Sequence, residues 1–186
     1  MLKKNWIIGD FLKQDLLRKI LNKKMSVMNL GIIGGGQLGS MLSVAAKKLN
    51  IKTTVYCDDD DAPAQNFCDE FIFGDYNDKK KILEFVSTVD VITYEFENIP
   101  YETLNEMNKL KTVFPKPSVN RLIQHRLAEK DFINKLNIRT TRYASIEKKS
   151  DIETLKDFLP GILKTTTMGY DGKGQHPINS IKDLSS

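Results

Sequence analysis

A glycine-rich turn restricts the fold of this chain more than any other feature. The residues Gly34-Gly35-Gly36-Gln37-Leu38-Gly39 follow an apolar run at 30–33 that predicts a buried strand, and they open an amphipathic run at 37–49 that predicts a helix. Glycines at such a junction let the backbone approach a phosphate, and the helix N-terminus offers free N–H groups. The same junction also occurs where a fold needs only a tight turn. The sequence predicts an α/β fold, with a phosphate contact here as one interpretation.

Strand and helix signals then alternate along the chain. Apolar periodicity predicts two more helices, at 79–86 and 101–110. Runs rich in β-branched and aromatic residues predict four more strands, at 53–56, 71–73, 91–94 and 112–114. Such alternation is typical of a doubly wound parallel sheet with helices on its faces.

Two prolines mark the predicted domain boundary. Pro115 and Pro117 stop the alternating pattern, because proline lacks the N–H that a helix or a sheet needs. Beyond them the pattern predicts a helix at 119–136, a strand at 142–145, a helix that starts with a capping box of Ser150 and Glu153, and a strand at 162–165. We therefore predict an extension at 1–26, a Rossmann-like domain at 27–117 and an incomplete second domain at 118–186.

Charge and composition exclude several classes of protein. With 28 Lys and Arg, 24 Asp and Glu and 40% hydrophobic residues, the chain is neither disordered, collagen-like nor a disulfide scaffold. Its lysines are scattered, which disfavours a nucleic-acid partner. Cys57 and Cys68 are too few for a metal site or a stapled secreted fold, so we expect a cytoplasmic protein.

The sequence gives little reason to expect a membrane partner. No apolar run approaches the roughly 20 residues of a spanning helix. Apolar residues do recur at helical spacing within 1–26. This extension is compatible with an amphipathic helix that docks on a surface or with a dispensable segment.

Acidic residues follow two of the predicted strands. Asp58 lies 19 positions after Gly39, where a dinucleotide-binding fold would place its ribose carboxylate. However, it begins a run of four aspartates, which is more typical of a solvated turn. Glu95 and Glu97 lie just past the strand at 91–94, at the end of the sheet where open α/β folds bind ligands.

Cations in the second domain suggest an anionic ligand. Arg126 and Lys130 are four residues apart and could present two charges on one helix face. Lys164 lies in an apolar strand that enters a loop with three glycines, so its ammonium must reach solvent or meet an anion. A point charge beside such a loop suits a triphosphate, although the Walker A pattern is absent.

Taken together, these motifs resemble a known family of ATP-grasp enzymes. Gly34 to Gly39, Tyr94-Glu95-Phe96-Glu97-Asn98, Arg126 with Glu129-Lys130, and Lys164 leading to Gly169-Tyr170-Asp171-Gly172-Lys173-Gly174-Gln175 are similar to the 5-(carboxyamino)imidazole ribonucleotide synthases. The resemblance runs in order from about Leu30 to Gln175. It implies a pre-ATP-grasp domain followed by the start of an ATP-grasp domain.

The resemblance also implies an activity. Members of this family use ATP and bicarbonate to make carboxyphosphate, which carboxylates the exocyclic amine of 5-aminoimidazole ribonucleotide in purine biosynthesis. The Mg²⁺ ligands and the catalytic residues of the family lie in a C-terminal half beyond Ser186, so we expect no metal ligands here and no activity from these residues alone. Family members are commonly homodimers.

Particular residues carry these implied roles. The ribonucleotide would be contacted by Gly36, Gln37, Leu38, Glu95, Tyr170 and Lys173. ATP would be contacted by Arg126, Lys164, Gly169, Tyr170, Asp171, Gly172, Lys173, Gly174 and Gln175, the last seven forming a loop over the phosphates. His125 departs from the family, which often has Asp before the arginine.

Other functions compete with this hypothesis. Another ATP-grasp ligase, such as the formate-dependent glycinamide ribonucleotide transformylase or a biotin carboxylase, is disfavoured by the pairing of the motif at 94–98 with the loop motif at 169–172. An NAD-dependent oxidoreductase would use the glycine turn and Asp58. A third alternative is a non-catalytic remnant that binds a partner.

Overall fold

The computed structural model describes residues 27–169 and 172–184. The chain falls into two compact units, Met1–Glu95 and Phe96–Ser186. The predicted extension at 1–26, together with Tyr170 and Asp171, lies outside the described residues, and the domain boundary at 117 stays a prediction. Among the helices that are described, none has both the length and the apolar character needed to cross a membrane.

The first unit contains a parallel sheet, which confirms the predicted α/β class. The strands described in this unit lie in the order β3-β2-β1-β4, and their neighbouring pairs are parallel. Helices α1 and α2 follow β1 and β3 along the chain. The bounds are β1 Asn29–Ile33, α1 Gln37–Lys48, β2 Lys52–Cys57, β3 Glu70–Phe73, α2 Lys79–Thr88 and β4 Val91–Tyr94.

Apolar side chains of the central strands form the core of this unit. Ile32 of β1, Val55 of β2 and Ile92 of β4 are fully buried, and so is Phe85 of α2. Burying side chains of this size contributes roughly 1.5–3 kcal/mol each. Asp78 caps α2, since its carboxylate accepts hydrogen bonds from the first-turn N–H groups. The carboxyl ends of β1 and β4, where the candidate site begins, are therefore held by a rigid sheet.

The second unit is mainly helical, with one small sheet. Strands β6 and β7 form an antiparallel pair in which Lys164 lies opposite Gln175. The bounds are α3 Tyr101–Leu110, β5 Val113–Phe114, α4 Pro117–Ile123, α5 Arg126–Lys135, β6 Gly161–Lys164 and β7 Gln175–Ile178, with 3₁₀ helices at Lys149–Phe158 and Ile181–Leu184.

The prediction of one helix over 119–136 is wrong, because the chain breaks at His125. This residue has an extended backbone, with φ −120° and ψ 105°, between α4 and α5. Its Nδ1 accepts a hydrogen bond from the Ala128 N–H at 3.4 Å, so the imidazole caps α5. Histidine is an unusual N-cap residue. The sequence therefore showed no typical cap at 125, and the apolar periodicity on both sides predicted one continuous helix.

Two further predictions in this unit are wrong. Residues 142–145 form no strand; the preceding Thr141 carbonyl accepts from the Lys130 ammonium, and the Tyr143 hydroxyl donates to Asp131. The predicted capping box is also replaced: the segment at 149–158 is a 3₁₀ helix, and the Asp151 carboxylate accepts from the N–H groups of residues 147 and 148. Side-chain hydrogen bonds thus decide the local structure here.

Burial is uneven along the second unit. After Asn120, Ile178 is the single buried residue among those whose burial is described. Phe132, Leu136 and Ile138 remain about half exposed. The part of the chain that carries the candidate nucleotide loop therefore gains little from apolar burial, and hydrogen bonds have a larger share in fixing its shape.

The buried Tyr56 predicts a loss of stability at alkaline pH. Burial, reinforced by the carboxylates of Asp78 and Asp75, raises the pKa of Tyr56 from its ordinary value of 10.0 to about 12. The unfolded chain therefore releases this proton at lower pH than the folded chain, so the free energy of unfolding falls as pH rises between these two values.

Urea denaturation at several pH values across this window measures the effect. Tyr56→Phe removes the titrating proton, so its stability is expected to fall less over the same range. An identical pH dependence in the wild type and the variant would contradict a raised pKa at Tyr56.

Candidate functional site

The glycine turn between β1 and α1 depends on glycine at two positions. Gly34 has φ +101°, a conformation that side chains disfavour, and its N–H donates to the Tyr56 carbonyl at 2.9 Å. At Gly39 a Cβ atom would lie 2.5 Å from the Gly34 carbonyl oxygen. The first and last glycines of the motif thus allow the start of α1 to pack against the turn.

The Glu95 carboxylate lies at the N-terminal end of α1. Its Oε1 accepts a hydrogen bond from the Gly36 N–H at 3.1 Å, and the Glu95 N–H donates to the Ile33 carbonyl at 3.1 Å. Two residues predicted to face the ribonucleotide, Gly36 and Glu95, are therefore in contact. The other two that belong to this turn, Gln37 and Leu38, are exposed on the first turn of α1.

This carboxylate argues against a dinucleotide at the turn. The N-terminal end of a helix attracts anions, and here the anion is the side chain of the protein itself. A pyrophosphate would have to displace Glu95 and would meet its negative charge. Asp58, the predicted ribose ligand, is exposed at the end of β2. The geometry therefore disfavours the oxidoreductase hypothesis.

Arg126 connects the start of α5 to the segment after β6. Its backbone N–H donates to the Thr166 carbonyl at 2.9 Å, and its Nη2 donates to the Gly169 carbonyl at 2.5 Å. At the other end of the loop, the Thr165 N–H donates to the Gly174 carbonyl at 2.8 Å. Three predicted ATP-binding residues, Arg126, Gly169 and Gly174, thus belong to one connected cluster.

Lys164 reaches solvent, which is one of the two environments predicted for its ammonium. It ends β6 and is exposed, and Ile162 is 62% exposed in the same strand. The strand is not buried because its sheet has two strands among the described residues. The ammonium therefore reaches solvent two residues before Thr166, which Arg126 holds.

The other residues of the predicted phosphate loop are Tyr170 to Gln175, of which the structure describes the last four. Gly172, Lys173, Gly174 and Gln175 are exposed, and Gly172 and Gly174 have φ of +80° and +65°. Glycine is the residue that adopts such backbone angles most readily. Tyr170 and Asp171, predicted to face both ligands and ATP respectively, lie outside the described residues.

The two cations predicted to share an anion have separate partners. Arg126 donates to Gly169, whereas the Lys130 ammonium donates to the Thr141 carbonyl at 3.3 Å and lies 5.0 Å from the centre of the Tyr143 ring. Arg126 alone of this pair therefore contacts the candidate loop.

A small polar cavity lies beside Arg126 within the second unit. Its volume is about 120 Å³, and its walls combine carboxylates, amides, hydroxyls and the guanidinium group. The lining residues are Glu97, Asn98, Ile123, Gln124, Arg126, Glu129, Thr166, Thr167, Met168 and Gly169. The predicted acidic motif and the predicted phosphate loop thus face one cavity.

The described residues contain no cluster of side chains that would form a metal site by itself. Across 27–169 and 172–184, no group of three or more His, Cys, Asp or Glu side chains is arranged to hold a metal ion. Mg²⁺ needs oxygen ligands in near-octahedral geometry.

Two amide side chains at the site were missed in the sequence. Gln124 Nε2 donates to the carbonyls of Glu97 and Ile99, at 2.7 Å each, and Asn120 Nδ2 donates to the Ile99 carbonyl at 3.2 Å. Asn120 is fully buried. A pair of amides at i and i+4 on one helix was the available signal, but its backbone partners cannot be read from sequence.

Comparisons with known proteins identify a family model and several relatives. Residues 27–124 match the family described as the ribonucleotide synthetase preATP-grasp domain. The chain is 40% identical over 157 residues to a bifunctional purine synthesis protein of Dictyostelium discoideum, covering 83% of this chain and 16% of that protein. It is 37% identical over 165 residues to the N5-carboxyaminoimidazole ribonucleotide synthase of Staphylococcus aureus, covering 88% of this chain and 44% of the relative.

The solved structures to which this chain is similar carry names close to that of the Staphylococcus aureus relative. A Staphylococcus aureus N5-carboxyaminoimidazole synthetase complexed with ADP superposes with a TM-score of 0.80 at 37% identity, covering 85% of this chain and 43% of that one. An Aspergillus clavatus N5-carboxyaminoimidazole synthase in complex with ADP and 5-aminoimidazole ribonucleotide gives a TM-score of 0.73 at 27% identity, covering 86% and 42%. The chain spans less than half the length of each of these proteins.

The close approach at Gly39 predicts a large effect of adding one methyl group. Gly39→Ala would force its Cβ against the Gly34 carbonyl, so we expect a loss of roughly 1–3 kcal/mol in the free energy of unfolding. Gly36→Ala is the matched control, because its Cβ would lie 3.4 Å from Glu95 Oε1, an ordinary contact. Urea denaturation compares the two variants, and equal losses would contradict the packing argument.

Proposed function

Because the chain belongs to the ribonucleotide synthetase preATP-grasp domain family, we propose that its function is that of an ATP-dependent carbon–nitrogen ligase. In the proposed reaction, bicarbonate attacks the γ-phosphorus of ATP and gives carboxyphosphate and ADP. The exocyclic amine of 5-aminoimidazole ribonucleotide then attacks the carbon of carboxyphosphate, loses a proton and releases phosphate. The product is N5-carboxyaminoimidazole ribonucleotide.

The observation that carries this proposal is the contact between Arg126 and the segment after Lys164. The two hydrogen bonds from Arg126 bring a permanent cation to the start of the predicted phosphate loop. Charge-assisted hydrogen bonds to phosphate are stronger than neutral ones. The solved structures to which this chain is similar include complexes with ADP.

In the proposed site, Arg126 and Lys164 offset the charge of the ATP phosphates. Positively charged groups aimed at a transferring phosphoryl group stabilise the transition state more than the ground state. The loop from Gly169 to Gln175 covers the phosphates with backbone N–H groups and keeps water from the carboxyphosphate. Its members are Gly169, Tyr170, Asp171, Gly172, Lys173, Gly174 and Gln175.

The ribonucleotide is proposed to bind at the carboxyl ends of β1 and β4. Glu95 is proposed to accept hydrogen bonds from the polar groups of the ribonucleotide, because its carboxylate lies just past the carboxyl end of β4 and supplies oxygen acceptors. The resemblance to the synthases assigns the ribonucleotide to Gly36, Gln37, Leu38, Tyr170 and Lys173 as well. A complex of a relative with 5-aminoimidazole ribonucleotide supports this substrate.

Further features follow from the resemblance to the synthases. Bicarbonate as co-substrate, a cytoplasmic location and a homodimer are proposed on that ground. Residues for the chemical steps, and ligands for Mg²⁺, are expected in the C-terminal part of the relatives that the match does not reach.

The activity can be tested with a fusion protein. This chain is followed by the part of the Staphylococcus aureus synthase beyond the matched region, and ADP release is measured with each substrate omitted in turn. We expect ADP release to require both bicarbonate and 5-aminoimidazole ribonucleotide. Release that depends instead on formate and glycinamide ribonucleotide, or binding of NADH in place of ATP, would contradict the proposal.

The role of Lys164 predicts a specific loss of ATP affinity. Removing one charged partner of a phosphate at an exposed position should weaken ATP binding about tenfold in the Lys164→Ala fusion protein. Lys182→Ala is the matched control, because Lys182 is also exposed but lies in the last 3₁₀ helix. Calorimetric titration gives both dissociation constants. Equal affinities in the two variants would exclude Lys164 from the phosphate site.

A further inference from the structure

Gln124 fixes the backbone that follows β4, although it belongs to no predicted site. We define the acidic segment as residues 96–99. Gln124 Nε2 donates to the first and the last carbonyl of the stretch from Glu97 to Ile99, at 2.7 Å each. Asn120, one helical turn earlier, donates to the same Ile99 carbonyl. The acidic segment is therefore held on one side by α4.

Arg126 holds the opposite side of the cavity in a similar way. We define the loop entry as residues 166–169. Arg126 donates to the backbone carbonyls at both ends of this segment, Thr166 and Gly169. Both Gln124 and Arg126 thus contact backbone carbonyls, so they fix where each segment runs whatever side chains it carries.

The corner between α4 and α5 keeps these two contacts at a constant separation. Gln124 ends α4, where its N–H donates to the Asn120 carbonyl at 3.0 Å. Arg126 begins α5, and His125 between them caps that helix through its imidazole. A single three-residue corner therefore spaces the acidic segment from the loop entry across the 120 Å³ cavity.

We propose that Gln124 is a positioning residue that holds the acidic segment at a fixed distance from the loop entry. It acts through the backbone of Glu97 and Ile99 and does not contact a ligand itself. The inference rests on the proposed function only for the identity of the two ligands. The acidic segment would face the ribonucleotide, and the loop entry would face the triphosphate. Loss of the hydrogen bonds from Gln124 would then lower the affinity of the site for the ribonucleotide more than its affinity for ATP.

Hydrogen exchange in the full chain, without ligand, tests the structural part. Gln124→Met keeps the length of the side chain but removes both donors, so exchange within the acidic segment should become about tenfold faster. Gln124→Lys restores a donor and should recover part of the protection. Val119→Met, at an exposed position of the same helix, is the control and should exchange like the wild type. Unchanged exchange in Gln124→Met, or faster exchange throughout α3 and α4, would overturn the proposal.

Kinetics of the fusion protein test the functional part. Gln124→Met should raise the KM for 5-aminoimidazole ribonucleotide about tenfold while changing the KM for ATP less than about twofold, and Gln124→Lys should reverse part of the rise. Equal changes in both KM values, or none, would overturn the positioning role. If the unmodified fusion protein shows no turnover, the proposed function fails, and hydrogen exchange alone decides whether Gln124 holds the acidic segment.

Discussion

The hydrogen bonds from Arg126 are the interaction on which the candidate nucleotide site depends. The second unit has few buried side chains after Asn120, so apolar packing does little to fix the segment after β6. The Arg126 backbone and guanidinium instead hold Thr166 and Gly169 by their carbonyls. A guanidinium that donates to a carbonyl can exchange this partner for a phosphate, which is the stronger acceptor. The Arg126 side chain thus stabilises the segment after β6 and is also proposed to contact the ATP phosphates.

A second electrostatic arrangement distinguishes this chain from nucleotide-binding proteins with a similar turn. The glycine motif places free N–H groups at the start of α1, a location that attracts anions. The Glu95 carboxylate takes this position by accepting from Gly36. The turn therefore supports an acidic side chain at the end of β4 instead of a bound pyrophosphate. Because Glu95 then stands at the carboxyl edge of the sheet, the arrangement suits a ligand with hydrogen-bond donors.

The sequence predicted the regular elements of the first unit well because each is defined by local signals. Strand β4 has the predicted bounds, 91–94, and in the second unit helix α3 also has its predicted bounds, 101–110, since periodicity within them and polar or proline residues around them agree. Where side-chain hydrogen bonds decide the local structure, prediction failed. The break at His125 depends on an imidazole cap, and residues 142–145 are held by side-chain bonds to α5. The contact between Gln124 and the acidic segment joins residues 25 or more positions apart, which no local pattern encodes.

A crystal structure of the fusion protein with a non-hydrolysable ATP analogue would test the central claim most directly. The triphosphate is expected to lie against the guanidinium of Arg126 and the ammonium of Lys164, with the glycine-rich loop closed over it. A triphosphate bound at Gly36 and Asp58, with that loop extended into solvent, would contradict the account.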